Sequence, residues 1–151
     1  MSDNFAAGPI AFSVVTYADR YLDGVKAVWA ESFSETQTTP AELVIAAKLA
    51  IQPDLFVIAT AGDSVIGSVM GGYDGHRGWL YAVAVLKSRR RNGVGTALIR
   101  EVETRLACLG CTKINLQVRP GNPAAVLFYE FLGYLVEDRV SMGKRVHGLS
   151  A

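Results

Sequence analysis

One stretch constrains this chain more than any other: residues 79–99, WLYAVAVLKSRRRNGVGTALI. A run apolar at nearly every position suits a central strand covered on both faces. It meets Lys87, three consecutive arginines and Gly-x-Gly, and a helical pattern follows. A helix start presents unpaired N–H groups with partial positive charge, and glycines let several amides curl toward one anion. Arg89, Arg90 and Arg91 add full charges. Residues 90–96 therefore read as a phosphate cradle, most naturally for two adjacent phosphates. A P-loop is excluded, because Gly95 is followed by Thr96-Ala97 rather than Lys-Ser/Thr. A dinucleotide fingerprint needs a third glycine where Leu98 stands, and it follows the first strand of its fold. Taken alone, the loop also fits a solvated turn with surface arginines.

The rest of the chain supplies the setting. Residues 10–17 read as a strand and 19–33 as a helix. Thr39 is a capping residue with Pro40 in the first turn and Glu42 closing a capping box, for a helix running to residue 51. Strands at 55–61 and 65–73 form a hairpin around Gly62-Asp63, and the turn 74–78 leads into the strand 79–86. A helix at 95–109 stops at Gly110, and a strand follows at 113–118. The helix 123–132 has Asn122 at its cap and Gly133 at its end. Residues 134–146 give one or two closing strands. The order predicts an α/β (α+β) mixed sheet with helices on both faces.

A length of 151 residues fits one domain, 1–151, with residues 1–9 as a flexible tail. A net charge of +1 gives no global basic field, and no aromatic platform accompanies the arginine run, so nucleic acid is not the expected partner. No apolar run reaches the length of a membrane span and no signal core opens the chain, so a cytoplasmic protein with no membrane partner is expected. Cys108 and Cys111 lack the second ligand pair that zinc needs, and they sit where a helix ends rather than where a redox motif lies. They read as small residues around a helix C-cap, with no metal.

Arg90-Arg91-Asn92-Gly93-Val94-Gly95 resembles the Gln/Arg-x-x-Gly-x-Gly/Ala loop of the GNAT family, the acetyl-CoA-dependent N-acetyltransferases. Residues 114–134, INLQVRPGNPAAVLFYEFLGY, resemble its second signature through Asn122, Ala125, Tyr129, Gly133 and Tyr134. The two motifs stand in the family's order, and the strand order agrees from about residue 10 to 146. Residues 67–78 and 141–146 resemble the bacterial YpeA-type members. The resemblance implies a central twisted, mostly antiparallel sheet whose strands 4 and 5 splay apart around pantetheine. It implies coenzyme A as co-substrate, with its phosphates on Arg90, Arg91, Asn92, Gly93, Val94, Gly95 and Thr96. Backbone groups of Val83 and Val85, with Asn122, Ala125 and Tyr129, complete the cofactor set.

The same resemblance makes Val85 N–H the oxyanion donor and Tyr129 the general acid. From the residues alone, Asn122 is a helix cap and Tyr129 a core aromatic beside Phe128 and Phe131. The base is where the chain departs from the family, since the positions that carry glutamate in relatives hold Trp79 and Gln117. Asp74, His76, Glu31, Glu35 and a water chain are the remaining candidates, and Asp74 also reads as a turn former. The acceptor stays open among a small amine, an amino acid, a protein N-terminus and a lysine. A homodimer is compatible with this reading. A non-catalytic coenzyme A sensor of the same fold is the alternative.

Overall fold

The computed structural model describes residues 10–147. The tail expected at residues 1–9 lies outside the described residues. The chain divides into two compact units, Met1–Gln117 and Val118–Ala151.

The first unit carries a five-stranded sheet whose strands lie in chain order. They are β1 (Ser13–Thr16), β2 (Phe56–Ala61), β3 (Ser64–Tyr73), β4 (Gly78–Val85) and β5 (Ile114–Leu116). All neighbours are antiparallel except β4 and β5, which are parallel. Helices α1 (Leu22–Phe33) and α2 (Ala41–Leu49) separate β1 from β2, and α3 (Val94–Cys108) separates β4 from β5.

Helical spacing sorts the core into two layers. On α1, Val25, Val28 and Trp29 are buried with Ile45 of α2 and with Phe56, Ile58 and Met70 of the sheet. On α3, Val94, Leu98, Ile99, Val102 and Leu106 form a second stripe, each no more than 1% exposed. Five such side chains contribute on the order of 10 kcal/mol of gross apolar burial. A Cβ on Gly71 would stand 2.5 Å from a Val102 methyl, so that glycine lets α3 settle directly on β3. The mixed sheet with helices on both faces is the architecture expected.

Two local expectations fail for identifiable reasons. Pro40, not Thr39, is the N-cap of α2, and no side chain caps it. Proline has no N–H for a capping-box carboxylate to reach. Glu42 instead forms an ion pair with Lys26 of α1. The helix expected from residue 19 begins as a 3-10 turn at Asp19–Tyr21 and becomes α-helical at Leu22.

The second unit contains α4 (Pro123–Phe131). Asn122 Oδ1 accepts from Ala125 N at 3.2 Å, the cap expected, and Gly133 ends the helix with φ of 97°. The closing strands expected at residues 134–146 are not formed. A strand needs a partner ladder, and the described part of this unit offers only a helix. Among the described residues, no helix is long and apolar enough to cross a membrane.

Candidate active site

The site begins with an irregularity in β4. Met70 pairs with Tyr81 and Ser68 with Ala84, so Val69 faces two residues, Ala82 and Val83. Ala82 takes φ of 50°, a left-handed conformation costly for a side chain other than glycine. This bulge reverses the strand's facing. Before it, buried Leu80 shares the α3 face with Gly78, whose Cβ would touch Leu106. After it, Ala84 joins the core under α1 and α2. A buried relay holds the bulge: Trp29 Nε1 donates to Ser68 Oγ at 2.9 Å, and Ser68 Oγ donates to Ala82 O at 2.9 Å.

Beyond the bulge, Leu86 N donates to Ile66 O at 2.9 Å. Antiparallel alternation then directs the peptide groups of Val85, one residue earlier, away from β3. On that far edge β5 pairs only with residues Gly78, Trp79 and Leu80. On that edge, among the described residues of this unit, no strand pairs with β4 past Leu80, which is the expected parting of the fourth and fifth strands. Arg90 Nε donates to Val85 O at 3.2 Å and ties the arginine loop to the same edge.

The loop has the geometry of an anion cradle. Arg91 and Gly93 take φ of 63° and 79°, and Gly93 is the N-cap of α3. The first helical bond is Ala97 N to Gly93 O at 3.0 Å. Among the described residues, no amide from Arg91 to Thr96 finds a backbone acceptor. Asn92 Nδ2 donates to the carbonyls of Arg89 and Arg90 at 3.2 and 2.9 Å, which shapes the turn from inside. Arg90 and Arg91 are exposed around it.

A cavity of about 710 Å³ opens between α2 and the first half of β4. Trp79 and Tyr81 line it from the sheet, and Leu43 and Ile51 from α2 and its end. The expectation that β4 is covered on both faces is corrected here. Trp79 and Tyr81 are 39% and 43% exposed because α2 stands off the sheet at this point.

This sequence and fold have counterparts among known proteins. The model of the acetyltransferase (GNAT) family matches residues 22–134. The chain belongs to that family. A Sodalis glossinidius protein named acetyltransferase is 46% identical over 106 residues, 70% of this chain and 75% of its own. An acetyltransferase of Pectobacterium atrosepticum is 45% identical over 105 residues, 70% and 74% of the two chains. The fold matches the structure of AAC(6')-Iy in complex with a CoA-S-monomethyl-acetylneamine bisubstrate analogue. That likeness has a TM-score of 0.76 at 18% identity and covers 91% of this chain and 99% of the other.

The remaining candidate residues of this GNAT acetyltransferase can now be placed. In the second unit the Tyr129 ring packs edge-on against Phe128 and Tyr134, with centroids 5.1 and 5.9 Å away. Burial pushes its hydroxyl up to about 12. In the first unit Asp74 lines the cavity, but its Oδ1 accepts from the amides of His76 and Arg77, both at 2.7 Å. The Arg77 and His76 amides hold its carboxyl below the usual range, so it is a turn-forming carboxylate and a weak proton acceptor. His76 is exposed, with Nδ1 3.5 Å from Arg77 Nη1. Glu31 Oε2 accepts from Lys87 N at 3.1 Å at the end of β4. Cys108 and Cys111 are free thiols. Sequence spacing puts Trp29 on the apolar face of its helix but does not join it to Ser68. The one signal was a lone hydroxyl amid the apolar strand VIGSVMG.

Proposed function

We propose that this acetyltransferase transfers an acetyl group from acetyl-CoA to a primary amine by direct attack in a ternary complex. The observation that carries the proposal is the run of amides from Arg91 to Thr96 that find no backbone acceptor among the described residues, with Arg90 and Arg91 exposed in the same loop. The donor set fits coenzyme A, since several N–H groups and two cations suit a pyrophosphate. The Val85 peptide faces away from β3, where an amide-bearing chain can pair with it. Val83, the second residue of the bulge, is proposed to act alongside it. Asn122, Ala125 and Tyr129 complete the proposed set. The bisubstrate complex of AAC(6')-Iy joins coenzyme A to an amine-derived acceptor, and this supports the same two-substrate chemistry here.

When bound, the co-substrate supplies an activated acyl carbon. The amine nitrogen forms the new C–N bond as the C–S bond breaks. Val85 N–H is the donor for charge building on the acyl oxygen. Tyr129 is protonated throughout the neutral range and donates to the departing sulfur. A free thiol titrates near about 8.5, so complete transfer from Tyr129 is uphill on its own. The proton shed by the amine returns through water to the Tyr129 oxygen, which closes the balance. A cytoplasmic setting and a small-molecule or peptide amine acceptor belong to this proposal.

The test combines calorimetry with coenzyme A and thiol release from acetyl-CoA over a panel of amines. Binding with turnover is expected. Binding without turnover for any amine would make the protein a coenzyme A sensor, and no binding would remove the loop from cofactor recognition.

A further inference from the structure

One buried cation has no part in the chemistry above. Lys48 of α2 is 5% exposed and lines the cavity. Its Nζ donates to Gly71 O and lies 5.7 Å from the centre of the Tyr81 ring. No acidic side chain pairs with it among the described residues, and burial alone lowers its pKa. Buried ammonium groups are normally paired with an anion. The carbonyl occupies one of three N–H donors, and a ring face is a weaker counterpart than a carboxylate.

The walls around Lys48 are apolar. Leu43 and Ile51 are 62% and 67% exposed, and they line the same hollow as Trp79 and Tyr81. Asp74 supplies a carboxylate to the lining. Tyr81 immediately precedes the bulge residue Ala82, so the cavity adjoins the bulged edge of β4. A ligand here meets a buried cation, an apolar slot and an acidic group close to the proposed reaction edge.

We propose that the cavity takes the acceptor as a free α-amino acid with an aromatic or branched apolar side chain, its carboxylate held by Lys48 Nζ and its side chain against Leu43, Ile51, Trp79 and Tyr81. The binding rests on the cavity alone, and its consequence rests on the acetyl-transfer reading. The α-amine is the nucleophile: its nitrogen bonds to the acyl carbon as the C–S bond breaks, the leaving sulfur takes the Tyr129 proton, and the amine proton returns through water to Tyr129. The product is an N-acetyl amino acid. Charge complementarity selects a free carboxylate over a peptide amide, which would leave the ammonium without a counter-charge.

The test is calorimetry with L-phenylalanine, L-leucine, L-phenylalaninamide, phenethylamine and the peptide Phe-Gly-Gly, with and without coenzyme A. The two amino acids should bind. The amide and phenethylamine should bind about 10- to 100-fold more weakly than L-phenylalanine, the usual worth of a charge-assisted hydrogen bond. Lys48→Met should erase most of that difference and leave coenzyme A affinity unchanged, while Lys48→Arg should keep it. Equal affinity for acid and amide, or a preference for the peptide, would overturn the inference, and this comparison on the unaltered protein decides even if Lys48→Met fails to fold. Coenzyme A binding with none of the five probes bound overturns the acceptor assignment and leaves acetyl transfer intact. Probes bound without coenzyme A affinity overturn the cofactor reading instead.

Discussion

The Tyr129 hydroxyl sets the expected pH behaviour. Burial raises it to about 12, so the donor form persists as pH climbs and is lost only near that value. An acceptor alkylamine has the opposite dependence, since it attacks only when neutral and its pKa is roughly 10. With Trp79 and Gln117 where the resemblance expects a glutamate, kcat/KM should rise about tenfold per pH unit from 7 toward the acceptor's pKa, and Tyr129 should add no descending limb below pH 10. Tyr129→Phe should keep coenzyme A affinity and lower kcat by about 10²- to 10⁴-fold. A descending limb below pH 10 that vanishes in Tyr129→Phe would contradict the raised hydroxyl. Full activity in Tyr129→Phe would return the ring to packing alone. At this scale local chemistry was readable and remote chemistry was not. Asn122 caps the helix that starts at the next residue by accepting from Ala125, three positions on, so its role is written beside it. Trp29 and Ser68 meet across 39 residues, and nothing near either one announces the bond.

Among elements, the loop into α3 is the part most exposed to test. Gly93 sits at φ of 79°, where a β-branched residue is strained whatever the space around it. Gly93→Val should lose at least about tenfold in coenzyme A affinity, because the unpaired amides no longer converge. Calorimetry beside a thermal melt separates lost binding from lost folding. Unchanged affinity in a folded Gly93→Val protein would mean the amides are not the cradle. The loop was legible because glycine pattern, helix start and charge coincide in one dozen residues. The α2 start was misread because Pro40 removes the N–H on which a capping box depends. The cavity lined by Lys48, Trp79 and Tyr81 stayed hidden because an unbroken apolar run masks which face of β4 is open. The closing strands were misjudged because strand propensity says nothing about a ladder partner.

At the scale of the whole molecule, ligand binding and stability are linked. The proposed cofactor groups are carried by the loop in the first unit and by Asn122, Ala125 and Tyr129 in the second, and the family match runs through both, over residues 22–134. A ligand that binds only the folded chain stabilises it by mass action, by about 2.7 kcal/mol at a hundred times its Kd. For a chain of this length that corresponds to roughly 5–10 °C in Tm. Coenzyme A at that excess should therefore raise Tm by this amount, and phenylalanine should add a further, smaller rise if the Lys48 cavity holds it. Amide hydrogen exchange shows which segments share the gain. Coenzyme A should slow exchange at residues 91–96 and at 122–129. Protection confined to 91–96 would remove Asn122, Ala125 and Tyr129 from the cofactor set and return them to capping and packing their own helix. Protection absent from both, with Tm unchanged, would leave the arginine loop a solvated turn and the sheet edge at Val85 without its proposed partner.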